Sequence, residues 1–212
     1  MTSRFLALLA LAAVLAAPSV ARADEAAAST MHAAVRDYYD AEVKTSFLFV
    51  GFGAVTAGGG AVALTEPGQF AHGLGWSSLV LGGLTAVGGA GYGVAAKLRG
   101  DHYEDLLARD PAAFKREEGD RIAGTNKRFW LYLGYELLET AAGVGIAAYG
   151  AAAKNDSLRG VGVGTAAQGI GLFVIDVPGA GRASRYQEQI KSFNPGVAWD
   201  GRSFTATMSR AF

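Results

Sequence analysis

The 212-residue sequence contains no cysteine, and only 18% of its residues are charged. Without cysteine, the chain can form no disulfide, no thiolate metal site and no cysteine nucleophile. An ordinary soluble domain carries about 25% charged residues, so this chain has too little charge to cover a normal aqueous surface. Its 19 basic and 19 acidic residues balance, which gives no electrostatic reason to expect a nucleic-acid partner.

Glycine and hydrophobic residues take the place of charge: the chain has 30 glycines and is 50% hydrophobic. Glycine costs about 1 kcal/mol in a water-exposed helix, whereas in lipid small residues let helix backbones approach closely. We therefore expect glycines to pack helices within a bundle and between copies of the chain. The alternative is that weakly hydrophobic sequence accumulates glycine and alanine without any specific interface. The packing candidates each stand four residues from another small residue: Gly89, Gly93, Gly160, Gly164 and Gly171.

The N-terminus has the pattern of a secretory signal peptide. Arg4 supplies a positive charge, residues 5–17 form a short apolar run, and residues 21–23 offer a small-x-small cleavage site. This pattern predicts a signal peptide over residues 1–23 and a mature chain that begins at Asp24. The alternative is an uncleaved anchor, but the apolar run is too short to span a bilayer.

Two long segments, residues 46–64 and 73–96, carry no charge and are each long enough to cross a membrane. Residues 129–153 and 161–177 form a second pair of hydrophobic segments. The sequence therefore predicts a mainly α membrane bundle of two tandem Gly-rich helical hairpins, with four membrane helices and a small C-terminal β-hairpin. The predicted parts are an amphipathic helix at 24–45, a first membrane hairpin at 46–97, a charged helical connector at 98–128, a second membrane hairpin at 129–178, and a polar tail with the β-hairpin at 179–212.

Local signals suggest where these elements begin and end. Asp110 followed by Pro111 is typical of an N-cap and the first residue of a helix. Pro178 and Gly179 are expected to end or kink the fourth membrane segment. Alternating residues on either side of the Asp200–Gly201 turn indicate the β-hairpin.

The two hairpins resemble copies of one unit. A shift of 83 positions places Lys44 on Lys127, Gly60 on Gly143 and Arg99 on Arg182, without gaps. Aromatic residues at the start of each hairpin also coincide. We interpret this register as a parallel internal repeat.

Polar side chains inside the predicted membrane segments are the candidates for function, because intramembrane ionisable groups are costly and commonly functional. Glu139 and Gln168 should lie at the same depth and could share a hydrogen bond. One interpretation is a polar path or an ion-binding point; the other is interhelical hydrogen bonding, with Asp176 at the membrane interface. The candidate lining residues are Glu136, Glu139, Gln168, Asp176, Thr56 and Thr85.

Catalytic and metal-binding patterns are missing from the sequence. His32, His72 and His102 stand far apart, which argues against a zinc site. The serines lack the strand–turn–helix context of a nucleophile elbow, and glycine-rich runs inside apolar segments do not fit a nucleotide fingerprint. We expect no enzyme activity, no metal and no cofactor.

These observations lead to one main functional hypothesis: a self-associating integral membrane protein of the cell envelope, with a structural or membrane-organising role. The alternative is a small oligomeric pore or transporter component lined by Glu139 and Gln168. A third is a soluble periplasmic bundle that inserts under some condition. The expected partners are membrane lipid and further copies of the chain, not nucleic acid.

The outer membrane is favoured over the inner membrane for two reasons. Segments rich in glycine and alanine have little driving force for insertion from the translocon. In an inner-membrane topology the basic segment 97–128 would also be periplasmic, while the loop around Pro67, which has no lysine or arginine, would be cytoplasmic. That arrangement breaks the positive-inside rule.

Overall fold

The computed structural model describes the backbone of residues 2–195, 198–199 and 204–205, and the side chains of residues 27–195. This part of the chain forms four long helices: α1 (Thr2–Ala63), α2 (Gln69–Arg109), α3 (Pro111–Ala152) and α4 (Asp156–Ser192). Two short strands, β1 (Ala198–Trp199) and β2 (Phe204–Thr205), pair antiparallel. Residues 200–203 and 206–212 lie outside the described part, so the predicted C-terminal β-hairpin stays a prediction.

Three of the described helices are long and apolar enough to cross a membrane: α1 from Ala27 to Ala63, α2 and α4. The sequence-based prediction of membrane helices is confirmed to that extent. Helix α3 is less apolar, because its hydrophobic half also contains Glu136 and Glu139.

Capping residues define the helix ends in the second half of the chain. The Asp110 side chain accepts hydrogen bonds from the backbone N–H groups of Ala112 and Ala113, at 3.1 and 2.9 Å, and Pro111 is the first helical residue. The predicted cap is therefore confirmed. The Asn155 side chain caps α4 in the same way, accepting from the Leu158 N–H at 3.0 Å.

The helices form two antiparallel hairpins, α1 with α2 and α3 with α4. The hairpins join through α2 and α4, which run parallel: Gly160 lies against Phe70 and Gly164 against Ser77. The α1–α2 turn and the α3–α4 turn consequently share one end of the bundle. The α2–α3 junction and the last turns of α4 lie at the other end.

That other end is a four-helix head, formed by residues 27–46, 97–129 and 179–193, with an ordinary hydrophobic core. Residues 179–192, predicted as part of a polar tail, instead continue α4 and pack in this core. The apolar face of the predicted amphipathic helix contributes from α1. The main core residues are Met31, Val35, Tyr38, Tyr39, Leu107, Phe114, Ile122, Phe129, Ala183, Tyr186, Ile190 and Phe193.

Helix α4 passes through Pro178 and does not end there. Proline inside a helix removes one backbone hydrogen bond and costs about 3 kcal/mol. Ala183, Tyr186 and Ile190, which follow the proline, are each at most 2% exposed in the head. Their burial offsets that cost and holds the helix together beyond the proline.

The remainder of the bundle, residues 47–96 and 130–178, has the opposite distribution and is named the membrane half. Its large hydrophobic side chains face outward, and its interior is lined by glycine and polar groups. In water, each exposed side chain would forgo roughly 1.5–3 kcal/mol of burial, so this surface suits lipid. Examples with more than half of their surface exposed are Phe47, Val55, Val62, Trp76, Leu84, Val87, Trp130, Leu138, Val144 and Val174.

Glycines seven residues apart form a seam in each hairpin. In the first hairpin a Cβ on Gly60 would lie 2.5 Å from the Leu79 nitrogen, and one on Gly82 would lie 2.5 Å from the Ala57 nitrogen. Real Cβ atoms do not approach backbone that closely, so only glycine allows this contact. The seam glycines are Gly53, Gly60, Gly75 and Gly82 in the first hairpin, and Gly143, Gly150, Gly162 and Gly169 in the second.

The seams also show how the two hairpins correspond. Gly60 lies against Gly75, and Gly143 lies against Gly162. Gly60 and Gly143 are 83 positions apart, as in the predicted repeat, whereas Gly75 and Gly162 are 87 apart. The second hairpin therefore has four additional residues between its facing glycines, and the ungapped register holds for the first helix of each hairpin only. The duplication itself stays a prediction.

Candidate functional site

A row of polar groups follows the interior of the bundle from the head into the membrane half. Its members are Glu42, Arg182, Asp176, Glu136, Thr85 and Gln168, and we name them the polar row. Four of these residues were predicted from the sequence as lining candidates. Glu42 and Arg182 were not, because they lie outside the apolar segments in which intramembrane groups were sought.

The row begins at the boundary between the head and the membrane half. Arg182 donates from Nη2 to the Thr45 hydroxyl at 2.5 Å, and the same atom lies 3.6 Å from Glu42 Oε1. Glu42 is 3% exposed, and its Oε1 has no hydrogen-bond partner among the described residues. Burial raises the pKa of Glu42 to about 7, and the positive charge of Arg182 offsets part of that shift. Glu42 thus exchanges its proton near neutral pH.

Two carboxyl groups come next along the row. Asp176 of α4 lies beside Glu136 of α3, within reach of a hydrogen bond between the two side chains. Two carboxyl groups can share such a bond only when one of them carries a proton. Glu136 is 4% exposed, and its Oε2 has no partner among the described residues.

The deepest members of the row join the two hairpins. Gln168 is 1% exposed and donates from Nε2 to the Thr85 hydroxyl at 2.6 Å. Its amide therefore joins α4 to α2. The hydrogen bond to Glu139 that the sequence suggested is not formed among the described residues. The reason is that α2 and α4 pack side by side through small residues, which turns Gln168 toward α2.

The other predicted lining residues lie beside the row. Glu139 is half-buried on α3, and Thr56 is half-buried on α1, where its Cβ would meet a Cβ on Gly82 at 3.0 Å. The structure thus separates the two glutamates of α3, which are three residues apart: Glu136 points into the bundle, and Glu139 lies nearer its surface.

The five predicted packing glycines all contact other helices of the same chain. Gly89 lies against Phe49, with 2.6 Å between an added Cβ and the Phe49 Cβ, and Gly93 lies against Ser46. Gly171 lies against the Phe52 ring. Together with the contacts of Gly160 and Gly164 on α2, these contacts pack the bundle internally. The seven-residue spacing of the seams was missed in the sequence, although it is visible there as repeated glycines.

The head holds a second polar group, surrounded by tyrosines. Arg121 donates from Nε and Nη2 to the two oxygens of the fully buried Glu118, at 2.5 and 2.6 Å, and Tyr39 donates to the same carboxylate at 3.0 Å. The Arg121 guanidinium also faces the Tyr38 ring, at 5.9 Å. Burial alone would lower the pKa of Arg121, but Glu118 outweighs burial and raises it. Each buried charge is therefore paired, as structural stability requires.

A groove of about 470 Å³ opens on the side of the bundle between α2 and α3. Glu136, Asp176 and Thr85 of the polar row lie in its wall. Aromatic side chains cover much of the remaining wall, and Arg99 and Arg128 stand at the end next to the head. Its other lining residues include Phe49, Tyr92, Phe129, Tyr132, Tyr135 and Leu172.

The arrangement brings together groups that hold or pass protons, not groups that activate a nucleophile. Among the described residues, no three His, Asp or Glu side chains converge in the geometry of a metal site. The ionisable members of the row, Glu42, Arg182, Asp176 and Glu136, act on one another electrostatically from the head into the membrane half. No protein-family model, curated protein or solved structure matches the chain.

Proposed function

We propose that the chain is an integral membrane protein of the cell envelope and that it acts as a small transporter component, with the polar row as its working part. The observation that carries the proposal is a set of buried ionisable groups inside a bundle whose outer surface is apolar. Such groups are costly in a membrane and typically mark the paths of ions or protons. This places the alternative from the sequence analysis ahead of a purely structural role.

The proposal includes α3 as a fourth membrane helix. Its seam with α4, through Gly143 and Gly150, keeps the two helices in contact over the length of the membrane half. Its outer face carries exposed apolar residues, among them Trp130, Leu138 and Val144. Glu136 lowers the mean hydropathy of α3 but points inward, so it does not oppose insertion beside α4.

The species best suited to the row is the proton. The seams hold backbone against backbone, which favours transfer between neighbouring side chains over flow through a wide pore. Glu42, Asp176 and Glu136 can each bind and release a proton, and Arg182 lies between the first two. Proton movement through such a relay is a known role of acidic residues inside membrane bundles.

Proton flux into vesicles tests this proposal. The full chain is reconstituted in vesicles that contain a pH-sensitive dye, and a potassium diffusion potential drives protons inward. We expect uptake above that of empty vesicles, and we expect Glu136→Gln to lower it by about tenfold or more, because an amide cannot relay a proton. Glu139→Gln is the matched comparison on the same helix and should keep most of the flux. Uptake equal to that of empty vesicles would refute the proposal.

A self-associating scaffold is the second candidate, and outward-facing glycines favour it. Eight helical glycines of the membrane half have open space where a Cβ would stand: Gly51, Gly58, Gly59, Gly83, Gly88, Gly91, Gly134 and Gly145. Smooth faces of this kind allow close approach of a second copy in lipid. A scaffold predicts oligomers in mild detergent, together with no proton uptake in the same vesicles.

The compartment also belongs to the proposal. The signal-peptide pattern of residues 1–23 and the weak hydrophobicity of the membrane segments support export and assembly in the outer membrane. Separation of inner from outer membranes of producing cells, with the N-terminus of the recovered chain sequenced, tests both points. Recovery in the inner membrane would argue against the outer-membrane location and leave the transporter proposal intact.

A further inference from the structure

The groove between α2 and α3 has a composition that the proton relay does not explain. A relay needs only neighbouring acidic groups, yet here a cavity of about 470 Å³ extends beside them and opens to the outside of the bundle. That volume is in the range of pockets that hold small organic molecules. Its opening faces the surface that the proposed function places in lipid.

The buried acid in this groove lacks a full set of partners. Glu136 is 4% exposed, lines the groove, and has an Oε2 atom without a hydrogen-bond partner among the described residues. Asp176 lies next to it in the same wall. An unpartnered carboxylate oxygen in a low-dielectric cavity attracts a cation strongly.

The walls next to the acids are aromatic. Tyr92, Tyr132 and Tyr135 line the groove, with Phe49 and Phe129 toward its inner side. Tyr132 and Tyr135 are 53% and 64% exposed, which leaves their rings free to contact a ligand. Aromatic faces attract organic cations through their negative quadrupole, and they also cover the apolar part of such a ligand.

The two arginines have a different position. Arg99 and Arg128 are exposed, stand at the head end of the groove, and form no ion pair with any described residue. In the proposed membrane orientation this is the level of the lipid phosphates, which are ordinary partners of interfacial arginines. With the two arginines occupied by lipid phosphates, the acids in the wall of the groove favour a cationic ligand over an anionic one.

We infer that this groove is a binding site for a monovalent, lipophilic organic cation that enters sideways from the bilayer. The cation lies beside the Glu136 and Asp176 carboxyl groups, and its apolar part lies against the tyrosine wall. The inference rests on the proposed function, since it places the groove in lipid, and it names the substrate class for the same acids. Binding of such a cation and binding of a proton at Glu136 exclude one another, which couples the two species.

Equilibrium binding of tetraphenylphosphonium to the full chain in neutral-lipid nanodiscs tests the inference. We expect saturable binding at one site per chain, weakened by about tenfold or more in Glu136→Gln, because an amide cannot release a proton and become the carboxylate that balances the cation. Glu139→Gln, on the same helix but outside the groove, should bind as the unchanged chain does. Tetraphenylborate, an anion of the same shape, should not bind at this site.

A second variant keeps the test valid if Glu136→Gln does not fold. Tyr132→Ala changes an exposed ring and should leave the helical circular dichroism unchanged while weakening tetraphenylphosphonium severalfold. Equal binding by all variants, or no saturable binding, overturns the inference. Preference for tetraphenylborate overturns it as well and assigns the groove to anionic amphiphiles held by Arg99 and Arg128. Proton uptake by vesicles without cation binding would leave the proposed function standing alone.

Discussion

Glu42 is placed where the head and the membrane half meet, and its surroundings decide how the two halves respond to acidity. It faces Arg182 of α4 at 3.6 Å, and the charges of Arg121 and Asp176 also act on it. The side chain is nearly inaccessible to water, so its negative form is destabilised by burial and only partly restored by Arg182. A single carboxyl group thus links the protonation of the head to the stability of the fold.

Folded protein should lose stability as the pH rises from 5 to 8. The pKa of Glu42 is about 7 in the fold, against 4.5 for an exposed glutamate, so the folded state binds the proton more tightly than the unfolded state does. Its contribution is fully present below pH 4.5 and is lost as the pH rises through 7, with a full extent of about 3 kcal/mol. Thermal unfolding in detergent across this range measures it. Glu42→Gln should reduce this loss of stability, and parallel profiles for the two proteins would contradict the assignment.

At this scale the sequence identifies the acids but not their partners. Glu136, Asp176 and Gln168 are recognisable because polar residues stand out in apolar runs. Arg182 and Glu42 are not, since their role depends on contacts between the first and last helices. Burial also separates Glu136 from Glu139, and only the packing of α3 on α4 determines which of the two faces inward.

The helices owe their close approach to the glycine seams, which repeat every seven residues. A seven-residue repeat keeps the same face of a helix toward its partner along its length. In lipid, where apolar side chains gain little from meeting one another, backbone contact through such faces is a principal source of association. The glycine seams therefore hold the helices of the membrane half together, as the hydrophobic core holds those of the head.

Replacing one glycine of the second seam and one outside it should have opposite effects. In Gly162→Ala the new Cβ would overlap the Ala147 backbone, and we expect destabilisation of at least about 1–3 kcal/mol, as for overpacked cores. In Gly145→Ala the methyl group meets nothing within 4 Å, and the higher helix propensity of alanine should be neutral or stabilising by up to about 1 kcal/mol. Unfolding in mixed detergent, followed by circular dichroism, measures both. Equal effects of the two substitutions would show that close backbone contact at Gly162 does not exclude a side chain there.

Helix positions were predictable because long uncharged runs and turn residues are local signals. The Asp110 cap is such a signal, and the structure confirms it. The passage of α4 through Pro178 is not, because the residues that stabilise it pack against helices distant in sequence. The four-residue offset between the hairpins likewise depends on which glycines face one another, and sequence identity alone does not specify that.

As a whole, the molecule has one surface suited to water and another suited to lipid. The head hides its large apolar side chains and exposes charge, whereas the membrane half exposes apolar side chains and hides polar ones. The α1–α2 and α3–α4 turns both lie at the end farthest from the head. In the proposed membrane orientation the head is on one side and the turns are on the other.

Single cysteines can test this orientation directly, since the natural chain has none. Glu117→Cys places a thiol on the exposed surface of the head, and Glu66→Cys places one in the exposed α1–α2 turn. With a membrane-impermeant maleimide on sealed vesicles of uniform orientation, we expect only one of the two variants to be labelled. Both should react once detergent opens the vesicles. Labelling of both in sealed vesicles would contradict a membrane-crossing bundle.

At the scale of the molecule, the paired hairpins follow from the sequence, but their assembly does not. Parallel packing of α2 beside α4, and a head built from all four helices, depend on small residues and tyrosines that have no distinctive local pattern. The candidate site is affected in the same way, because it lies between helices from both hairpins.

The stacking of Tyr38 on Tyr186, with ring centroids 4.3 Å apart, has a consequence for how the protein is made. It joins the first helix to the last, so the head core cannot close until nearly the whole chain has been synthesised. Until then, the exposed apolar helices of the first hairpin have no fourth-helix partner and are prone to aggregate. The proposed export of the chain therefore requires an escort that shields its early helices during transit, and cells without such a holding chaperone should accumulate it in aggregates.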